Sequence, residues 1–247
     1  MLGKNILWSL PPTDLNLRNN DVHVWRASLE QSTAQVQQLA KMLSEDEKIR
    51  AERFYFEGDK KHFIIGRGLL RIILGRYLGI APNQLQFSYS SRGKPAVVMT
   101  DTSYTLQFNL SHSEELVLYA FTRDRKIGID VEYTRPIAEL EQLTQRFFSA
   151  REVAALRSLP PNQQQQAFFQ AWTCKEAYLK ATGEGLAQLE QVEVSLVPGE
   201  PCKLLNTENP QTTAHWSLQT LTPDSNYVAA LAVEGHHWHL TGWQWSD

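Results

Sequence analysis

At 247 residues the chain could form one large domain or two small ones, and an apolar content of 42% is enough for a real core. Its 24 Lys and Arg stand against 27 Asp and Glu, a formal net charge of −3, which excludes the broad positive footprint of a nucleic-acid-binding protein. No stretch approaches an apolar membrane span, and Met1–Trp8 holds too short an apolar run for a signal peptide, so the expectation is a cytoplasmic protein with no membrane partner.

In chain order, Ser44–Phe54 reads as a short helix with basic residues at Lys48 and Arg50. Positive charge is local: Lys60-Lys61, Arg67, Arg71, Arg92–Lys94 and Lys175–Lys180. Gly66-Arg67-Gly68 lacks the third glycine and preceding strand of a dinucleotide fingerprint. Ser111 and His112 are neighbours on a strand, so they point to opposite faces and cannot act as a nucleophile–base pair there.

Residues 127–132 read as a buried strand with Ile127, Ile129 and Val131 on one face. Gly128, Asp130 and Glu132 share the other. Two like charges this close repel unless a cation sits between them, and magnesium is a hard ion that prefers carboxylate and phosphate oxygens. Two solvated acids on a surface strand are the alternative. Pro160–Gln166 reads as a polar loop, followed by a helix over 167–182 rich in Phe168, Phe169, Trp172, Tyr178 and Leu179. Glu176 and Lys180 share a face of this helix, Lys175 points about 100° away, and Gly183 is a plausible C-terminal cap. An ordinary solvated salt bridge is the alternative, but the surrounding aromatic residues favour burial, where unpartnered charge is expensive. Pro198–Gln211 reads as a second polar loop, and the tail His236–Trp245 as an aromatic strand. His237 and His239 lack an acid or cysteine cluster and read as structural. Cys174 and Cys202 show no disulfide or zinc spacing.

The chain also repeats itself. Leu43-Ser44-x-x-Glu47 recurs as Phe148-Ser149-x-x-Glu152 at an offset of 105; with a gap, Arg67 aligns with Lys175 and Gly75 with Gly183 at 108. The repeat predicts an α+β fold of two similar halves, 1–125 and 126–247, the second carrying the acids. The tail from about 226 to 247 is a candidate to pack back on the first half.

Gly128-Ile129-Asp130-Val131-Glu132, Arg146-Phe147-Phe148-Ser149 and Trp172-x-x-Lys175-Glu176-Ala177-x-x-Lys180 resemble the surfactin-synthetase-activating type of 4'-phosphopantetheinyl transferase. Upstream, Arg92-Gly93-Lys94-Pro95 and Phe108-Asn109-Leu110-Ser111-His112-Ser113 match the same family in order and spacing. The resemblance implies two α/β-sandwich halves about a pseudo-two-fold axis with coenzyme A in the cleft between them. It implies magnesium-dependent transfer of 4'-phosphopantetheine from coenzyme A to a serine of an acyl or peptidyl carrier protein, releasing adenosine 3',5'-bisphosphate. A monomer is expected, its second half replacing a neighbouring subunit. By this resemblance Asp130, Glu132 and Glu176 form the metal and pyrophosphate shell, with Lys180 beside the transferring phosphate. Glu176 is the candidate general base. Arg67, Arg92, Gly93, Lys94, Pro95, Ser111, His112, Lys175 and Lys180 are assigned to coenzyme A. The chain departs from the family at Glu47, where some members carry lysine. Two other readings compete: a non-catalytic binding module that kept the fold, and another magnesium-dependent phosphoryl-transfer enzyme. The full acid and lysine set argues against the first; the missing Gly-x-x-x-x-Gly-Lys-Ser/Thr loop argues against the second.

Overall fold

Alternating apolar residues build the strands that organise the molecule. A computed structural model describes residues 6–99, 103–196, 200–207 and 210–246. The first half runs β1 (Trp8–Ser9), β2 (Asp21–Ser28), α1 (Thr33–Ala40), α2 (Glu45–Ala51), α3 (Glu57–Leu78), β3 (Phe87–Tyr89), β4 (Pro95–Val97), β5 (Leu106–Ser113) and β6 (Leu116–Arg123). The second runs β7 (Ile127–Tyr133), α4 (Leu140–Phe147), α5 (Ala150–Arg157), α6 (Pro161–Thr182), β8 (Glu193–Val194), β9 (Leu204–Asn206), β10 (Trp216–Leu221), β11 (Tyr227–Glu234) and β12 (His239–Gln244).

The two halves share one antiparallel order. β2–β6–β5 in the first corresponds to β7–β11–β10 in the second, and β12, then β1 at the edge, extend the first sheet in parallel. The tail strand therefore joins the first half's sheet, while β11 stays with β7. The sheets pack face to face. Val22, Val24, Leu118 and Ala120 of one meet Ile129, Val131, Leu231 and Val233 of the other, all essentially buried. α3 covers the outer face of the first sheet and α6 that of the second, each over its own apolar core. The result is four layers, helix–sheet–sheet–helix, which is the expected α+β pair of similar halves.

α3 and α6 are each 22 residues long, and each ends on a glycine in the left-handed conformation, Gly79 at φ 66° and Gly183 at φ 81°. Matching the helices end to end pairs Gly79, not Gly75, with Gly183, and Arg71, not Arg67, with Lys175. The chemistry agrees with this register. Glu47 closes the capping box of α2 on Ser44 and receives Arg71 Nε at 2.6 Å. Glu152 closes that of α5 on Ser149 and receives Lys175 Nζ at 2.7 Å. The offset therefore falls from 105 at the capping boxes to 104 along the helices, where the sequence repeat predicts a rise to 108.

α6 also starts earlier than the polar loop expected at Pro160–Gln166. Pro161 stands in the first turn, where its missing N–H is no loss, and glutamines are good helix formers. Within Pro198–Gln211, residues 198, 199, 208 and 209 lie outside the described residues; between them β9 pairs with β8. The tail strand begins at His239, after His237 turns at φ 61°. Cys174 and Cys202 are buried free thiols. Among the described residues, no helix is long and apolar enough to cross a membrane.

Candidate active site at the junction of the two halves

Strand alternation on β7 sends Ile127, Ile129 and Val131 into the sheet–sheet core and turns Gly128, Asp130 and Glu132 toward α6. The helix crosses directly over Gly128. A Cβ there would lie 2.0 Å from the Ala177 carbonyl oxygen and 2.4 Å from Ala181 N, so only glycine permits the crossing. Glu176 and Lys180, one helical turn apart, are thereby set against Asp130. Lys180 Nζ lies 2.5 Å from Asp130 Oδ1 and 3.5 Å from Glu176 Oε2. One ligand oxygen from each of Asp130, Glu132 and Glu176 lies within 4.8 Å of the others.

A third wall comes from β5 in the other half. Its alternate residues Asn109, Ser111 and Ser113 face β7. Asn109 Oδ1 accepts from Ile129 N at 2.8 Å. Ser111 Oγ donates to Asp130 Oδ1 at 2.9 Å and accepts from Lys180 Nζ at 3.0 Å. Ser113 Oγ donates to Glu132 Oε2 at 3.0 Å.

Crowding three carboxylates into a mostly buried site has an electrostatic consequence. Burial, reinforced by the charge of Asp130, pushes the Glu176 carboxyl up to about 7 despite the opposing Lys180. Burial and Asp130 likewise raise Glu132. Burial works against the Lys180 ammonium, but Asp130 and Glu176 outweigh it and hold its pKa above the ordinary lysine value. Asp130 itself is 2% exposed, and its Oδ2 is buried with no hydrogen-bond partner. An orphaned carboxylate oxygen inside a protein calls for an explanation. A hard divalent cation held by Asp130, Glu132 and Glu176 supplies one: all donors are carboxylate oxygens, one has a free valence, and a single ammonium leaves negative charge in excess. The residues fit such an ion.

The other sequence-predicted residues divide. Arg92 and Gly93 line an open groove of about 870 Å³ beside α2, together with Arg50, Arg53, Phe54 and Tyr89. Pro95 opens β4 next to it. His112 lies at the surface on the face of β5 opposite Ser111. Partial desolvation, then the charges of His62 and Lys180, hold its pKa below the ordinary imidazole range.

Four of the residues assigned to coenzyme A are engaged by the protein itself. Lys175 is fully buried, donating to Glu152 and to the Phe147 carbonyl at 3.1 Å. Arg67 is 8% exposed, lies 3.4 Å from Glu47 and stacks near Phe87, a core position. Ser111 spends its hydroxyl inside the acid cluster, between Asp130 and Lys180. Lys94 points into the protein and donates to three backbone carbonyls; burial, then Lys126, lower its pKa to about 8.

Sequence reasoning missed Asn109 and Ser113 as supports of the acid strand, although the period-2 polar run Asn109, Ser111, Ser113 carried that signal. It also missed Arg53, which only the fold brings to the groove.

Carboxylates gathered round a lysine, at the junction of two like halves, form an acidic cluster that could hold a cation. The comparisons say which class this is. Residues 126–232 match the model of the 4'-phosphopantetheinyl transferase superfamily, and residues 24–123 match that of the 4'-phosphopantetheinyl transferase N-terminal region. The chain is 51% identical over 238 residues to the 4'-phosphopantetheinyl transferase HetI of a Nostoc species, covering 96% of this chain and 98% of that one. It is 31% identical over 145 residues to the 4'-phosphopantetheinyl transferase Sfp of Bacillus subtilis, covering 59% of this chain and 62% of that one. It is 26% identical over 206 residues to the mouse L-aminoadipate-semialdehyde dehydrogenase-phosphopantetheinyl transferase, covering 76% of this chain and 66% of that one. The chain belongs to the 4'-phosphopantetheinyl transferases, and it is an enzyme of that class.

Proposed function

We propose that the enzyme moves 4'-phosphopantetheine from coenzyme A to a serine hydroxyl of an acyl or peptidyl carrier protein, with magnesium as its metal and adenosine 3',5'-bisphosphate as the second product. The observation that supports this reading best is the cluster of Asp130, Glu132 and Glu176 with Lys180 in its midst and an unpartnered Asp130 oxygen. Magnesium, when bound there, supplies the positive charge that a pyrophosphate needs in order to be attacked.

The chain's own residues would do the rest. In the transfer, the serine oxygen forms a new bond to phosphorus and the bond from phosphorus to the bisphosphate oxygen breaks. Lys180 is placed to neutralise charge building on that leaving oxygen. Glu176, one helical turn from Lys180 and beside Asp130, is the residue suited to take the serine proton. The groove with Arg50, Arg53 and Arg92 would take the phosphorylated nucleotide end of coenzyme A. Lys60, Lys61 and Arg92 would favour an acidic carrier protein. Both halves lie in one chain, so a monomer would suffice.

Release of adenosine 3',5'-bisphosphate, followed by chromatography, tests the reading. It should require coenzyme A, a carrier protein with its serine, and magnesium, and should stop on adding chelator. Equal release without carrier protein, or full activity in chelator, would contradict it.

A further inference from the structure

The last carbonyls of any helix have no partner within the helix. In α6, Gly183 N takes Leu179 O at 2.9 Å. Lys180 O and Ala181 O are taken by a side chain from the other half of the molecule: Lys94 Nζ donates to them at 2.6 and 3.1 Å, and to Ile127 O at the start of β7 at 3.3 Å. All three ammonium donors are spent, and a cation at a helix C-terminus is favoured by the helix dipole.

The two elements gripped by this one ammonium are the two that carry the acid cluster, Asp130 and Glu132 on β7, Glu176 and Lys180 on α6. Lys180 is held at both ends, its carbonyl by Lys94 and its ammonium by Asp130. Lys94 in turn closes a tight turn. Gly93 N donates to Ser90 O at 2.9 Å, Ser90 N to Lys94 O at 3.0 Å, and Lys94 N to Ser90 Oγ at 3.1 Å. Arg92 and Gly93 of the same turn line the groove beside α2.

We propose that Lys94 is a positioning residue: it fastens the groove turn of the first half to α6 and β7 of the second, so that occupancy of the groove and the geometry of the acid cluster are coupled. The coupling to coenzyme A rests on the substrate reading above; the grip on the cluster does not.

Lys94→Met keeps the aliphatic stem and removes the donors, and Lys94→Arg restores a cation. With coenzyme A and a carrier protein, Lys94→Met should lose about 10²-fold in kcat while KM for coenzyme A stays within about threefold, and Lys94→Arg should recover part of the loss. Manganese binding, measured by calorimetry without coenzyme A, should weaken in Lys94→Met, and this decides the grip on the cluster even if the substrate reading fails. A raised KM with kcat kept would make Lys94 a substrate contact and overturn the proposal. A lowered melting temperature with kcat, KM and manganese affinity kept would reduce it to scaffold and overturn it equally. Should Lys94→Met not fold, the wild type decides: coenzyme A should slow amide exchange at residues 180–183, and unchanged exchange there would refute the coupling.

Discussion

Replacing Glu176 by glutamine should stabilise the metal-free protein while disabling it. Burial and the neighbouring Asp130 lift the Glu176 carboxyl from an ordinary 4.5 to about 7. At 1.36 kcal/mol per pKa unit, keeping this group ionised costs the folded state about 3 kcal/mol once the pH is above 7. The sign follows from the direction of the shift. Between about 4.5 and 7 the folded protein binds more protons at this site than the unfolded chain, so stability falls as pH rises through that window; Glu132, raised for the same reason, adds to the slope. The raised pKa already includes the favourable Lys180 contribution, so the net effect of removing the charge is a gain. In chelator at pH 8, Glu176→Gln should therefore melt about 5–10 °C above wild type. The difference should close as the pH falls below 4.5, where Glu176 is protonated in both states. Thermal unfolding followed by circular dichroism across this range, with and without magnesium, is the assay. Magnesium should reverse the order by stabilising wild type more than the variant. A wild type as stable as Glu176→Gln in chelator at pH 8 would refute the reasoning.

Three further outcomes follow from the same geometry. Gly128→Ala forces a Cβ against the backbone of α6, and should cost about 3 kcal/mol or more in denaturant unfolding because no flexible side chain can give way. Lys175→Met leaves Glu152 buried without its cation and should cost about 3–5 kcal/mol in denaturant unfolding, and adding Glu152→Gln should recover much of it. Asp130→Asn should lower kcat by about 10²–10³-fold and weaken manganese binding measured by calorimetry, with the fold retained by circular dichroism.

The site's local geometry was legible in the sequence, because it depends on two periods. The period of 2 assigned Ile127, Ile129 and Val131 to the core and Asp130 and Glu132 to the site, and the helical period set Glu176 beside Lys180. The doubled capping box, Ser44 with Glu47 and Ser149 with Glu152, was equally visible. What escaped was non-local. Lys175 sits next to Glu176 in sequence, but a 100° turn of the helix sends it into the core, to an acid from α5. Lys94 and Ser111 lie in motifs that suggest a nucleotide contact, yet their partners are α6 and β7 of the other half, and periodicity cannot reveal such pairings. The register of the repeat slipped because Arg67 and Arg71 lie one turn apart on one helix, and only burial against Glu47 shows which of them matches Lys175.

The central claim is that this acid cluster serves a group transfer from coenzyme A to a carrier-protein serine. The most direct measurement is the intact mass of an apo acyl carrier protein after incubation with the enzyme, coenzyme A and magnesium. The account predicts a gain of one phosphopantetheine group, lost when chelator is added and when Asp130→Asn replaces the wild type. Unchanged carrier mass across fatty-acid, polyketide and peptide carrier proteins, from an enzyme that still binds coenzyme A, would contradict it.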